Sequence, residues 1–84
     1  MNDKVFNDIM SARQDKNIKF NDLRILLLQL DFNERIRGDH FIYSRNGIEE
    51  IINIQPVNNK AKPYQVKQVR NLILKYHLGG YLDG

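Results

Sequence analysis

The feature that most constrains the fold is a change of hydrophobic period in the middle of the chain. Before Phe32 the apolar residues recur at helical spacing, and from Phe32 onward they alternate with polar residues, as in a half-buried β-strand. Two tight-turn signals interrupt the alternating region, Gly38-Asp39 with glycine in the first turn position and Asn46-Gly47. The sequence therefore predicts a three-stranded antiparallel sheet, with strands over residues 32–37, 40–44 and 50–55.

Helical patterns lie on both sides of the predicted sheet, over residues 2–12, 21–30 and 63–76. We expect Asn21 to cap the second helix, Asp31 to adopt the left-handed conformation after it, and Gly79-Gly80 to end the third helix. The order α-α-β-β-β-α defines an α+β fold that is double-stranded-RNA-binding-domain-like, a three-stranded antiparallel sheet packed by helices. That likeness is one of fold and implies no function by itself.

The length of 84 residues allows one domain with a thin core. We assign residues 1–84 to a single domain, with 1–17 as an N-terminal helical extension and 79–84 as a frayed tail. So thin a core leaves no room for a deep cofactor pocket, and we expect no cofactor and a function on an open face. Without cysteine there is no disulfide or thiolate metal site. We find no secretory signal or membrane span, and expect a cytoplasmic protein.

Positive charge is concentrated in the second two-thirds of the chain. Lys and Arg number 13 against 10 Asp and Glu, and the sequence pI is about 9.3. Such clustering suits a phosphate-bearing partner such as RNA, although chance explains a mildly basic small domain equally well. The basic residues of this region are Arg35, Arg37, Arg45, Lys60, Lys62, Lys67, Arg70 and Lys75.

His40 is the strongest candidate for a reactive side chain. It follows the Gly38-Asp39 turn at the start of the second predicted strand. Imidazole gains and loses a proton near neutral pH, so beside cations it can transfer protons on a phosphodiester. The competing interpretation is a partly exposed histidine without a catalytic role. Alternation alone does not decide which face of the sheet is buried, because both faces carry apolar side chains.

RNA supplies its own nucleophile, the 2′-hydroxyl, so a ribonuclease needs only proton transfer and positive charge at the phosphate. If His40 faces solvent, basic residues of the neighbouring strand, the following loop and the outer side of the last helix can supply that charge. Asp39, Glu49 and Glu50 form no recognisable carboxylate cluster, and we expect no metal site. The expected phosphate contacts are Arg35, Arg37, Lys60, Lys62 and Arg70.

Several short segments form a specific combination: LDF at 30–32, RIRGDH at 35–40, RNG at 45–47, IQP at 54–56, KAKPYQV at 60–66 and VR at 69–70. With them the chain resembles, over roughly residues 20–78, the HicA family, the small ribonucleases of type II toxin–antitoxin pairs. The family pattern has glycine, usually serine, and then the catalytic histidine. The resemblance therefore implies a catalytic role for His40 and a turn role for Gly38. Asp39 stands where the family usually has a small hydroxyl residue, and Asp31 where glycine is common.

The resemblance implies an endoribonuclease (mRNA interferase) that cleaves mRNA and inhibits translation. It also implies a cognate HicB-type antitoxin that covers the active face. Two other functions stay open from the residues alone. One is an RNA-binding or antitoxin-binding module with impaired catalysis, since Asp39 places a carboxylate beside the phosphate site. The other is a structural interaction domain whose basic surface docks an acidic protein.

Overall fold

The structure, a computed structural model, describes residues 3–80 and confirms the predicted α+β fold in the order α-α-β-β-β-α. Expectations for residues 1–2 and for tail residues 81–84 lie outside this range. Gly79 and Gly80, expected in the tail, belong to a 3-10 turn. None of the helices within 3–80 is long and apolar enough to cross a membrane. The elements are α1 (Asp3–Ser11), α2 (Phe20–Gln29), β1 (Asn33–Arg37), β2 (His40–Arg45), β3 (Ile48–Ile54), α3 (Pro63–Tyr76) and the 3-10 turn (Leu78–Gly80).

The strands form one antiparallel sheet in the order β1-β2-β3. Arg37 pairs with His40, so Gly38 and Asp39 are the two central residues of the first hairpin turn. Of these two, only Gly38 has a positive φ, of 60°, as the predicted glycine-first turn requires. A Cβ added to Gly38 would meet no atom within 4 Å, so backbone conformation rather than space requires glycine here.

The second hairpin contains an irregularity that shifts the strand register. Arg45 pairs with Ile48, whereas Tyr43 pairs with Ile52, so β3 has two more residues than β2 between these pairs. A shift of two residues leaves every side chain on its original face, because side chains alternate with a period of two. It does change which residue of β3 lies opposite each residue at the start of β2.

The inner face of the sheet packs against the helices in one hydrophobic core. Tyr43, Ile52 and Ile54 are fully buried there. Helix α1 is part of the same core, so the predicted N-terminal extension is packed against the domain. The buried helical side chains of the core include Val5, Phe6 and Ile9 of α1, Phe20, Leu23, Leu26 and Leu27 of α2, and Val66, Val69, Leu72 and Ile73 of α3.

The start of α2 differs from the prediction. The helix begins at Phe20, so Asn21 lies within its first turn, and the expectation that Asn21 is the cap is wrong. The Phe20 N–H donates to the Asn59 carbonyl at 2.9 Å. A distant loop therefore satisfies this backbone donor, which sequence reasoning assigned to a local cap.

The ends of α2 and α3 both use left-handed residues. Asp31 follows α2 with a φ of 68°, which confirms its predicted conformation. Helix α3 ends at Tyr76, as predicted, but the left-handed residue that caps it is His77, with a φ of 55°, and not the expected Gly79-Gly80. Either residue type tolerates this conformation better than a β-branched one.

The expectation that Arg70 lies on the outer side of α3 is wrong. Arg70 is only 9% exposed. Its guanidinium donates to both carboxylate oxygens of Asp15 at 2.8 and 3.1 Å and to the carbonyl of Ile9 at 3.0 Å. This Arg70–Asp15 pair joins α3 to the loop after α1, and the Arg70 charge is already compensated. Arg70 is therefore a structural residue and not a phosphate contact on the surface.

A second charged network supports β1 from α2. Arg24 donates to the two carboxylate oxygens of Glu34 at 2.6 and 2.9 Å, and the Tyr43 hydroxyl donates to Glu34 at 2.7 Å. The hydrogen bond from Arg24 holds the pKa of Glu34 below its ordinary value. Burial raises the pKa of Tyr43, and its hydroxyl stays a donor. The Arg24 charge is thus paired within the fold.

Candidate active site

The outer face of the sheet, opposite the helices, carries His40. Phe41 and Tyr43 lie on the opposite face of β2 and point to the helices, and Tyr43 is fully buried. The structure therefore places His40 on the solvent side, with 48% of its side chain exposed. The other outer-face residues follow from the register and include Asn33, Arg35, Arg37, Ile42, Ser44, Ile51, Asn53 and Gln55.

Two amides of β3 and the segment after it hold the His40 ring. Asn53 Oδ1 lies 3.3 Å from His40 Nδ1, and the Gln55 side-chain nitrogen lies 3.0 Å from Nε2 and 3.3 Å from Nδ1. Asn53 Oδ1 can only accept, so its contact requires a proton on Nδ1. A nitrogen this close to both ring nitrogens lies over the imidazole face, so the Gln55 amide packs against the ring. The Asn53 contact suits the neutral tautomer with Nδ1–H, in which Nε2 carries the lone pair.

Lys62 determines which end of the Gln55 amide faces the ring. Its ammonium donates to Gln55 Oε1 at 3.2 Å, which leaves the amide nitrogen to face His40. Lys62 is half-buried in this position. The loop before α3 thereby places a positive charge one hydrogen-bonded residue away from the imidazole.

The predicted cations do not all lie together. Arg37 is the register partner of His40, and Arg35 is the next outer-face residue of β1; both are exposed. Lys62 is linked to His40 through Gln55. Lys60 lies apart, in backbone pairing with Lys19 at the start of α2. Arg37, Arg35 and Lys62 are therefore the cations that the fold brings to His40.

Asp39 is the acidic residue beside the imidazole. One of its carboxylate oxygens lies 3.8 Å from His40 Nε2, too far for a hydrogen bond. Its side chain is 73% exposed and sits in the second position of the Gly38-Asp39 turn. The carboxylate therefore places a negative charge near Nε2.

Sequence reasoning missed Asn53 and Gln55 as partners of His40. Strand alternation alone places Asn53 and Gln55 on one face of the third strand. The pairing partner could not be found because it depends on the irregularity in the second hairpin. An unshifted two-residue turn at Asn46-Gly47 would place His40 opposite Asn53, whereas the observed register extends to Gln55.

Within residues 3–80, no group of three or more His, Cys, Asp or Glu side chains is placed to hold a metal ion. No protein-family model, curated protein or solved structure gives a significant match to the chain.

Proposed function

We propose that the chain is a HicA-type toxin: an endoribonuclease that cleaves mRNA in the cytoplasm without a metal ion and is neutralised by a HicB-type antitoxin. The observation that carries the proposal is the setting of His40. It is half-exposed on the open face, lies opposite Arg37 in the register, and is oriented by Asn53 and Gln55. Phosphodiester cleavage by the 2′-hydroxyl needs a group that transfers protons and a positive charge at the phosphate, and an oriented imidazole beside arginine supplies both.

In the proposed reaction His40 Nε2 is the general base. It takes the proton of the 2′-hydroxyl onto the lone pair of this nitrogen. The 2′-oxygen then bonds to phosphorus, and the 5′-oxygen of the next nucleotide leaves and takes a proton from water. The products are a 2′,3′-cyclic phosphate and a 5′-hydroxyl. Arg37 and Arg35 neutralise the charge that develops on the phosphate oxygens.

The test of this proposal is cleavage of a short single-stranded RNA by the purified protein in excess chelator. We expect cleavage to persist, and the upstream fragment to end in a 2′,3′-cyclic phosphate detectable by mass spectrometry. A matched RNA with 2′-deoxyribose at the cleaved position should stay intact, because it lacks the nucleophile. Cleavage of the deoxy substrate, or loss of cleavage in chelator, would contradict the mechanism.

A second candidate function, RNA binding with impaired catalysis, is favoured by the Asp39 carboxylate 3.8 Å from His40 Nε2. Replacing Asp39 by serine removes a negative charge from the phosphate site and keeps a small polar side chain in the turn. We expect Asp39→Ser to bind or cleave RNA more strongly, with a gain that shrinks as salt is added. Asp31→Ser, in the left-handed position after α2, is the matched control. Equal RNA binding by Asp39→Ser and wild type at low salt would show that Asp39 points away from the substrate.

The basic loop before α3 gives a prediction on salt dependence. Replacing both Lys60 and Lys62 by glutamine should weaken binding of all RNA sequences alike. Each lost phosphate contact should flatten the slope of log affinity against log salt by about 0.7 on single strands. Lys75→Gln, at the opposite end of α3, removes one positive charge, which Glu50 already pairs, and should leave the slope unchanged. A slope identical to wild type in the double variant would show that neither lysine touches RNA.

A further inference from the structure

A cavity of about 600 Å³ lies on the helix side of the β1–β2 hairpin, behind His40. Its volume falls within the roughly 300–1,000 Å³ typical of small-molecule sites. Phe20, Phe41 and Pro56 supply its apolar wall. The role proposed above for His40 does not use this cavity.

The cavity wall offers the partly exposed ring of Phe41 and the guanidinium of Arg24 as flat surfaces on which a planar group can stack, whereas Phe20 is only 7% exposed and supports Phe41 from the core. The rings of Phe20 and Phe41 meet edge to face with centroids 4.9 Å apart. The planar guanidinium of Arg24 lies 5.3 Å from the centroid of Phe41. Nucleobases stack on aromatic rings and on guanidinium planes in single-stranded RNA complexes, with little dependence on sequence.

The rim of the cavity carries positive charge. Lys19 and Lys60 both line it, are exposed, and are brought together by an isolated backbone bridge between the residue before α2 and the loop before α3. Neither forms an ion pair within residues 3–80, whereas Arg24 is paired with Glu34. No acidic side chain of the described chain lines the cavity. The apolar aromatic wall suits a nucleobase, and the two lysines without an ion pair suit the phosphate attached to it.

The cavity adjoins the His40 site along two separate stretches of chain. Phe41 directly follows His40, and Pro56 directly follows Gln55, whose amide contacts the imidazole. We infer that this cavity binds the base of one RNA nucleotide next to the cleaved bond, with Lys19 and Lys60 on its phosphate. The inference rests on the proposed function of His40 and adds a substrate-positioning site on the other side of the hairpin.

The test uses adenosine 5′-monophosphate, which has no internucleotide bond to cleave, and ribose 5-phosphate as the probe without a base. In wild-type protein we expect the first to shift the backbone amide NMR signals of Phe20, Phe41 and Lys60. Ribose 5-phosphate should bind at least about fivefold more weakly, because it cannot stack. Equal affinity of the two probes, or shifts confined to Arg37 and Ile42 on the outer face, would overturn the inference.

Two variants separate stacking from charge. Phe41→Leu keeps an apolar side chain of similar volume and should weaken the nucleotide at least about fivefold, with little effect on ribose 5-phosphate. Lys19→Gln lies outside the core and should weaken both probes, while Lys75→Gln should weaken neither. Unchanged nucleotide affinity in Phe41→Leu and Lys19→Gln would overturn the inference even if one variant folded poorly.

The outcome is independent of catalysis. Active RNA cleavage without nucleotide binding in the cavity would overturn the inference and leave the proposed function standing. Nucleotide binding in the cavity, in a protein that cleaves no RNA, would support the binding site and contradict the assigned role of His40.

Discussion

Replacing His40 by alanine is expected to lower the rate of RNA cleavage by a factor of about 10²–10⁴ and to abolish growth inhibition on induced expression. The imidazole is the only proton-transfer group that the sheet orients with two amides, through Asn53 and Gln55, among residues 3–80. Its side chain is 48% exposed, so its removal should change stability by no more than about 0.5 kcal/mol. Single-turnover cleavage and thermal unfolding measure the two effects separately.

His77→Asn is the matched control for this variant. It removes the other histidine, which is exposed at the end of α3, and asparagine tolerates its left-handed backbone. We expect full cleavage and full toxicity from this control. Undiminished RNA degradation by His40→Ala would end the catalytic assignment, as would equal losses in the two variants.

Replacing Arg70 by methionine is expected to destabilise the protein by about 3 kcal/mol. The change removes both hydrogen bonds to Asp15 and the bond to the Ile9 carbonyl, while methionine keeps most of the buried stem. The Asp15 side chain is 23% exposed, so it regains some hydration in the variant. The expected loss of unfolding free energy is therefore at the lower end of the range for a broken buried ion pair. For a domain of this size the melting temperature should fall by roughly 12–24 °C, measured by calorimetry.

Lys67→Gln removes the same charge from an exposed position of α3 and should change stability by no more than about 0.5 kcal/mol. Asp15→Asn alone and combined with Arg70→Met completes a double-mutant cycle. A coupling free energy of about 1 kcal/mol or more is expected, since the two side chains share two hydrogen bonds. A melting temperature for Arg70→Met within 2–3 °C of wild type, by the same scale, would show that the pair contributes little.

Local signals in the sequence were sufficient for the order of the elements. Gly38 marks a turn whose first central residue needs a positive φ. Pro63 marks the first residue of α3, because a backbone N–H at that position would have no partner within the helix and proline has none to lose. The leucine stripe of α2 and the alternation from Phe32 have different periods, so the helix-to-strand boundary is visible without a structure. His40 could be selected as a candidate for the same reason, since its turn and strand are local.

Non-local contacts account for the errors. Arg70 falls beside the apolar stripe of α3, and nothing in α3 reveals that Asp15 and the end of α1 cover it. The exposure of His40 depends on which sheet face the helices cover, and the sequence does not show this because both faces carry apolar residues. Gln55 reaches the imidazole only because the second hairpin shifts its register.

The Arg70–Asp15 pair also has a consequence for the order in which the chain is synthesised. It joins residues that are 55 positions apart, and the bond to Ile9 spans 61 positions, so α1 leaves the ribosome long before its partner exists. A nascent chain interrupted after Ile54 would already contain His40, Arg37 and the complete sheet sequence, yet would lack α3 to cover the inner face. For the proposed toxin, translation halted partway therefore leaves unfolded fragments, and stalled ribosomes add no further active copies.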